Sequence, residues 1–481
     1  MNNQDGPSGR GRGMDTNSCT LKPIYVAFPA DRDQGDMVLR HLPENKPAFV
    51  FERCDPITRA PLFTYIGVNV TPSLYAYDAL GQAAQDPVAS LHAHLGQYVV
   101  EACEELPPFQ GGVLAFLAYD AARYFEPRLE RAIPPSRFPA MGFLEVRTLF
   151  AIDHVRGLGF LIQLVDAGDT LAQDRTRQRL ARMRTAWPQG ACWTDTAEYR
   201  WAGAWTHDVS RNEFCRRVDK IKDYIGRGDI LQAVLSMRMR KVLHAHPYRV
   251  YQELRSTNPS PHIFFVRFPT FSILGSSPLM FLRVHDRAVI AEADAGTRAI
   301  PTNGRMVGRV EKELLASEKD RAEHLMLVDL ARNDLGRIAR IGSVTVPTLM
   351  QVRKFSHVMH IFSEVHAELG MDHTSLDAVR ACFPAGPVAG APKIRAIEIL
   401  AELEGGGRDL YGGTIGLFGY DGSVDTAVLI RSLWIVHNEV SLQVGAGIVA
   451  DSDPADEYEE CVNKAAAIIH SVERAETVGT A

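Results

Sequence analysis

The chain has 481 residues, 46% of them hydrophobic and 23% charged, with a formal net charge of −6. That length can bury one large composite core or two. Acids and bases are interspersed rather than blocked, so no basic tract is set aside for nucleic acid. No stretch reaches the roughly 18 apolar residues of a membrane span, and the N-terminus lacks the apolar centre of a signal peptide, so a cytoplasmic enzyme with no membrane contact is expected.

Residues 1–20 (MNNQDGPSGRGRGMDTNSCT) are polar and Gly-rich and read as a disordered tail, with Met14 as an alternative start. A β-rich region over 21–200 follows. Its apolar runs PAFVF, GGVLAFLAYD, LFAIDHV and LGFLIQLV are separated by Gly, Pro and Asp, and LAQDRTRQRLARMRTAW reads as a helix. A polar link near 188–206 leads to a second region over 205–478. It opens with a helix that carries Phe214, Val218, Ile221 and Ile225 at helical spacing. Beyond it the strands HIFFVRF, FSILGSS, SLWIV and EVSLQVGAGIV mix with helices over about 311–340 and 392–404. Without regular strand-helix alternation, the class is α+β, with large mixed or antiparallel sheets flanked by helices.

The seven cysteines (Cys19, Cys54, Cys103, Cys192, Cys215, Cys382 and Cys461) are scattered and form no C-x-x-C pair, which argues against a disulfide framework or a zinc site. In SEKDRAEHLMLVDLARNDLGR the apolar positions Leu325, Leu327, Val328, Leu330 and Leu335 describe an amphipathic helix that sets Asp320 and Glu323 on one face. DSDPADEYEECVNKAAAIIHSV opens with Asp453 as N-cap and Pro454 at the first helical position, and it pairs Glu457 with Glu460. Two such pairs could hold Mg²⁺, which takes few protein oxygens, although solvated acidic faces are the commoner use of the pattern. CFPAGPVAGAPK places a Gly-rich loop before a helix opening at Pro392, where free N–H groups could face an anion; a plain turn explains it equally, and it is not a P-loop. VGAGIVADSDP lacks G-x-G-x-x-G, so a dinucleotide site is weakly supported. His324, His357 and His360 sit in apolar surroundings, where a structural role is the commoner outcome.

Eight ordered segments together resemble the chorismate-utilising enzymes: GDILQAVLS (228–236), NPSP (258–261), AGTR (295–298), AEHLMLVDLARNDLGR (322–337), FSHVMHIFSEV (355–365), GAPKIRAIEIL (390–400), YGGTIG (411–416) and GAGIVADSDPADEYEE (445–460). PFQGGVLAFLAYD (108–120) extends the likeness into the first region. The resemblance is strongest to anthranilate synthase component I and implies that fold. Members that add ammonia resemble this chain at Gln232, where members that add water carry a lysine. Ala295 stands where aminodeoxychorismate synthases usually have a nucleophilic lysine.

By the same resemblance, Glu323 and Glu460 would ligate Mg²⁺ with Asp320 and Glu457 in support, and the metal would neutralise the ring carboxylate of chorismate. Tyr411 and Arg431 would hold the enolpyruvyl carboxylate, Arg through its bidentate fork, with Gly445, Gly447 and Gly390 lining the site. His360, Thr297 and Lys393 would complete the catalytic set. No glutaminase nucleophile setting occurs, so a separate glutamine amidotransferase subunit is the implied ammonia source, in a homo-oligomer or a heterotetramer.

Several positions depart from the family. Leu279, in GSSPLMFLRV, replaces the glutamate that protonates the departing C4 hydroxyl, a function leucine cannot perform. Glu292 and Asp294, in EADAGTR, are nearby candidates in sequence to take over that role. Pro387 and Ala389 replace two hydroxyl residues of the loop. VFERC (50–54) and NPSPHI replace the segments L-L-E-S and NPSPYM of the family's tryptophan-inhibited members, so insensitivity to tryptophan is expected. Three readings follow: amination of chorismate to 2-amino-2-deoxyisochorismate or anthranilate; another reaction on chorismate or a related cyclohexadiene; or a non-catalytic paralogue. Retention of a charged metal pocket that is costly to bury argues against the third.

Overall fold

The computed structural model describes residues 18–40, 46–67, 70–75, 86–134, 136, 138–186, 203–301, 304–354 and 358–477. The tail up to residue 17, most of the 188–206 link, Cys192 and His357 lie outside them. Within these residues the strands form a thirteen-stranded sheet and a nine-stranded sheet, nearly all antiparallel. Strand Cys19–Pro29 pairs in parallel with Tyr98–Val100. It starts inside the segment read as a tail, because the apolar and β-branched residues from Leu21 onward pair with Leu158–Asp166.

Neither sequence region closes a sheet by itself. In the larger sheet Ala48–Cys54 pairs with His262–Arg267, placing Phe51 opposite Phe264. In the smaller sheet Gly112–Leu117 pairs with Thr414–Gly419. The sheets face each other across a core containing Phe49, Phe51, Leu114, Phe116, Phe264 and Trp434, the interdigitated packing of a sandwich. Helices cover the outer faces. Arg211–Gly226, Pro247–Thr257 and Pro454–Thr477 pack on the larger sheet through Phe214, Val218, Tyr251 and Ile468. Glu318–Gly336 and Ser375–Cys382 pack on the smaller through Leu327, Val328 and Val379.

The helix expected over about 311–340 is two, Gly304–Ala316 and Glu318–Gly336. Ser317 divides them by capping the second, its Oγ accepting from the Asp320 N–H at 3.3 Å. Leu325 is 42% exposed, so the apolar face is carried by Leu327, Val328 and Leu335, with His324 buried beside them. Pro392 is the N-cap of helix Lys393–Glu404 rather than its first residue. The cap read at Asp453 is present, its Oδ1 accepting from the N–H groups of Ala455 at 2.8 Å and Asp456 at 3.1 Å.

Candidate active site

The site lies where the first residues of strand Gln232–Val242 and the last of Glu439–Ile448 approach helix Glu318–Gly336. Gln232 is buried, and its Nε2 donates to Glu323 Oε1 at 2.8 Å. Glycines make room for this contact. A Cβ on Gly447 would stand 2.7 Å from Gln232 Nε2, and one on Gly445 would stand 2.6 Å from the Tyr411 hydroxyl. Gly390 crosses the same strand end at φ +143°, where a Cβ would stand 2.3 Å from the Gln232 carbonyl oxygen. Three of the glycines expected at the site are therefore steric requirements of Gln232 and Tyr411.

The four expected metal-side carboxylates are unequal. Asp320 is buried and paired with Arg298 at 2.5 Å. Glu460 is exposed and pairs with Lys464 at 2.6 Å, while Lys464 also donates to the Gly445 carbonyl at 2.9 Å. Burial raises the Glu323 carboxyl; the Gln232 hydrogen bond opposes this, and Asp320 and Glu460 raise it further. Glu457 is raised by burial, against a hydrogen bond from Ser452. Among the described residues no three His, Cys, Asp or Glu side chains converge to hold a metal ion unaided. Mg²⁺ does not need three, since it commonly uses one or two carboxylates and completes its shell with water and ligand oxygens. An all-oxygen set in which neighbouring carboxylates raise one another fits such a cation.

Cationic groups lie beside these acids, Lys464 among them. Burial, then Arg431, Lys464 and Arg59, lower His360 to about 4 against a hydrogen bond to Gly296, so its imidazole is neutral near pH 7. Arg431 adopts φ +49°, uncommon for a non-glycine residue, and burial lowers its guanidinium. Tyr411 is buried in contact with Arg408, whose guanidinium stands 5.7 Å from its ring and 4.7 Å from that of Tyr119. Of Thr297 only the backbone is described; it lies opposite His360 on the neighbouring strand.

Lys393, expected among the catalytic groups, bonds two neighbouring elements. It donates to Asp334 at 2.5 Å and to the Cys382 carbonyl at 2.8 Å, tying the Gly-rich loop to helix Glu318–Gly336. Leu279 lines a cavity of about 30 Å³ with Phe281, Leu327, Cys382, Gly386 and Pro387. That space holds little more than a water molecule, and the Leu279 wall of it is apolar. His324 is a structural histidine, bonded to Ser363 at 2.6 Å.

Sequence reasoning missed Arg408. Buried and fully engaged, it pairs with Glu404 at 2.7 Å, donates to the Val388 carbonyl at 2.7 Å and also reaches the Val234 carbonyl. It thereby joins the Gly-rich loop to the Gln232 strand. Its position three residues before Tyr411 was the available signal. Arg59 gave none, because the turn after Ala48–Cys54 reaches the His360 neighbourhood only through the fold, and Arg353, paired with His360 on the preceding strand, belongs to no motif.

Comparison with known proteins agrees with this geometry. The model of the chorismate binding enzyme family matches residues 48–470. Anthranilate synthase component 1 of Streptomyces coelicolor is 39% identical over 423 residues, covering 86% of this chain and 81% of that one. Aminodeoxychorismate synthase component 1 of Bacillus subtilis is 37% identical over 418 residues, covering 86% and 88%. The crystal structure of anthranilate synthase component I from Streptococcus pneumoniae superposes with a TM-score of 0.74 at 30% identity, covering 85% of this chain and 92% of that one. With both sheets, the Gln232–Glu323 contact and the Tyr411–Gly445 contact in place, the chain belongs to the chorismate binding enzyme family and has the fold of anthranilate synthase component I.

Proposed function

We propose that this chain is a lyase-like aminating enzyme. It adds ammonia to C2 of chorismate, giving 2-amino-2-deoxyisochorismate or anthranilate, and receives the ammonia from a separate glutamine amidotransferase subunit. The observation that carries this reading is Gln232. An uncharged amide, bonded to Glu323, occupies the head of the strand, where it can orient a neutral nucleophile but cannot deprotonate water as a lysine base would. The component 1 designation of relatives at 39% and 37% identity supports the two-subunit arrangement.

In this reading Glu323 and Glu460 would hold Mg²⁺, with Asp320 and Glu457 behind them, and the charge it would supply there is the one that neutralises a ring carboxylate. Arg431 and Tyr411 take the enolpyruvyl carboxylate, and Gly445, Gly447 and Gly390 let the ligand approach the backbone. His360 is kept neutral by burial and then by Arg431 and Lys464, so it offers a hydrogen bond to the ring and no charge. A second reading is favoured by Leu279, whose own side chain has no proton to give, although Glu292 and Asp334 line the same cavity: the enzyme would act on chorismate or a related cyclohexadiene without protonating the C4 hydroxyl from position 279.

The test is incubation of the protein with chorismate, Mg²⁺ and ammonium at alkaline pH, with products resolved by mass spectrometry and Glu323→Ala as control. The aminated product should appear with the wild type and be absent from the control. Chorismate recovered unchanged from both would overturn the proposal.

A further inference from the structure

Strand Gln232–Val242 pairs along one edge with Glu439–Ile448, but strands cover its other edge only at the ends. Gly390–Ala391 lies against Gln232 and Ala233, and Thr206–His207 lies against Met239 and Arg240. Between them a buried ion pair takes the place of a strand. The Ser236 N–H donates to Glu404 at 2.9 Å, and Arg408 donates to the Val234 carbonyl. Residues two apart in a strand turn their backbone groups to the same edge, so the two bonds close the gap and leave neither group unpaired. Arg408 is 2% exposed and pairs with Glu404 at 2.7 Å.

The same guanidinium determines where Tyr411 lies. The Arg408 carbonyl accepts from the Tyr411 N–H at 3.1 Å, so the two residues belong to one turn of chain. The guanidinium stands 5.7 Å from the Tyr411 ring, and its Nη1 donates to the Val388 carbonyl at 2.7 Å. The phenol hydroxyl in turn lies against Gly445, where a Cβ would come within 2.6 Å of it. Gly445 pairs with Ser236, whose N–H and Oγ are both held by Glu404 and whose Oγ accepts from Gln443 at 2.8 Å. The ring of Tyr411 and the strand pair beneath its hydroxyl are therefore fixed by one ion pair. Burial raises the Tyr411 phenol and the Arg408 charge opposes this, which makes the hydroxyl a better donor.

We propose that Arg408 is a positioning residue for the substrate: it acts through Tyr411, holding the phenol hydroxyl where it donates to the enolpyruvyl carboxylate. The inference rests on the reading above for the ligand that Tyr411 meets. Arginine suits the role because one planar fork reaches Val388, Val234 and Glu404 together, whereas the ammonium of a lysine is a point donor. A carboxylate remote from the reacting carbons is held equally before and in the transition state, so misplacing Tyr411 raises KM and spares kcat.

The experiment is a double-mutant cycle of Arg408→Lys and Tyr411→Phe, read as KM and kcat for chorismate in ammonia-dependent amination, with the Mg²⁺ affinity of each protein measured by calorimetry. Tyr411→Phe should raise KM roughly 10–100-fold, the loss of one hydrogen bond to a charged group. Arg408→Lys should raise KM roughly tenfold with kcat within about threefold of the wild type. In the Tyr411→Phe background the same change should raise KM by less than about threefold, because the group it acts through is gone. Mg²⁺ affinity should stay within about threefold throughout, since Glu323 and Glu460 lie on other helices. Equal rises in both backgrounds, or a rise in KM matched by lost Mg²⁺ affinity, would overturn the inference and leave the amination reading intact. A wild type that binds chorismate without aminating it would overturn the amination reading alone, and the cycle is then read from the calorimetric affinity for chorismate. A wild type that does not bind chorismate would overturn both. Should Arg408→Lys fail to fold, Glu404→Gln, which keeps an oxygen for Ser236 and weakens the hold on Arg408, takes its place in the cycle with the same outcomes.

Discussion

Replacing Gly447 with alanine should weaken Mg²⁺ binding without disturbing the fold. The backbone there is outside the left-handed region, so the new methyl group is opposed by contact alone. It would lie 2.7 Å from Gln232 Nε2 and 3.7 Å from Glu323 Oε1. The amide must then swing away and break its 2.8 Å bond to Glu323. A hydrogen bond to a charged group contributes about 1.5–3 kcal/mol, and loss of a partner that orients a metal ligand typically costs about 10–100-fold in affinity. The same bond holds the Glu323 carboxyl down against burial, Asp320 and Glu460, so the variant's carboxylate is scarcer at neutral pH. Calorimetric titration with Mg²⁺ should show affinity reduced by about 10–100-fold, with the deficit shrinking as pH rises and Glu323 ionises. Gly308→Ala is the control, because a Cβ there meets nothing within 4 Å. Equal Mg²⁺ affinity in wild type and Gly447→Ala would refute the reasoning.

Three further outcomes are expected. Lys241 and Glu476 form a buried ion pair, and Glu476 also accepts from the His244 N–H at 3.1 Å; Lys241→Met strands that carboxylate and should cost about 3–5 kcal/mol, read as a lower unfolding temperature that Glu476→Gln partly restores. Arg53 pairs with Asp425, which His262 also contacts at 3.1 Å; with this charge cluster built from VFERC and NPSPHI, tryptophan should not inhibit, and inhibition at micromolar tryptophan would count against it. Because the folded carboxyl of Asp294 is raised, its contribution to stability is complete below the ordinary Asp range and is lost as pH rises through the raised value; Asp294→Asn should therefore melt progressively higher than the wild type toward alkaline pH, and parallel melting curves would contradict the assignment.

Much of the fold could be read because local signals and tertiary packing agree. The runs PAFVF and HIFFVRF are strands in the sequence and become neighbours in the larger sheet through Phe51 and Phe264. Asp453-Pro454 starts its helix as the cap pattern requires. The break at Ser317 was hidden because the helical pattern runs on through both segments, and only the cap bond to Asp320 marks it. At the site, Gln232 and Glu323 were identified by motif, and their contact across 91 residues of sequence follows from the fold. The cationic group around His360 was not legible, since Arg59 arrives from a distant segment and Arg353, seven residues away on the adjacent strand, has no motif of its own. For Lys393 the motif did not show which groups its ammonium would bond. Its motif is strong, but its ammonium is used to hold Asp334 and the Cys382 carbonyl.

The most direct test of the amination account is to supply chorismate and Mg²⁺ with heavy-nitrogen ammonium in heavy-oxygen water and to weigh the product. The account predicts that the heavy nitrogen enters the ring product and that no heavy oxygen does. A product carrying heavy oxygen and no heavy nitrogen would contradict the role given to Gln232, and with it the central claim.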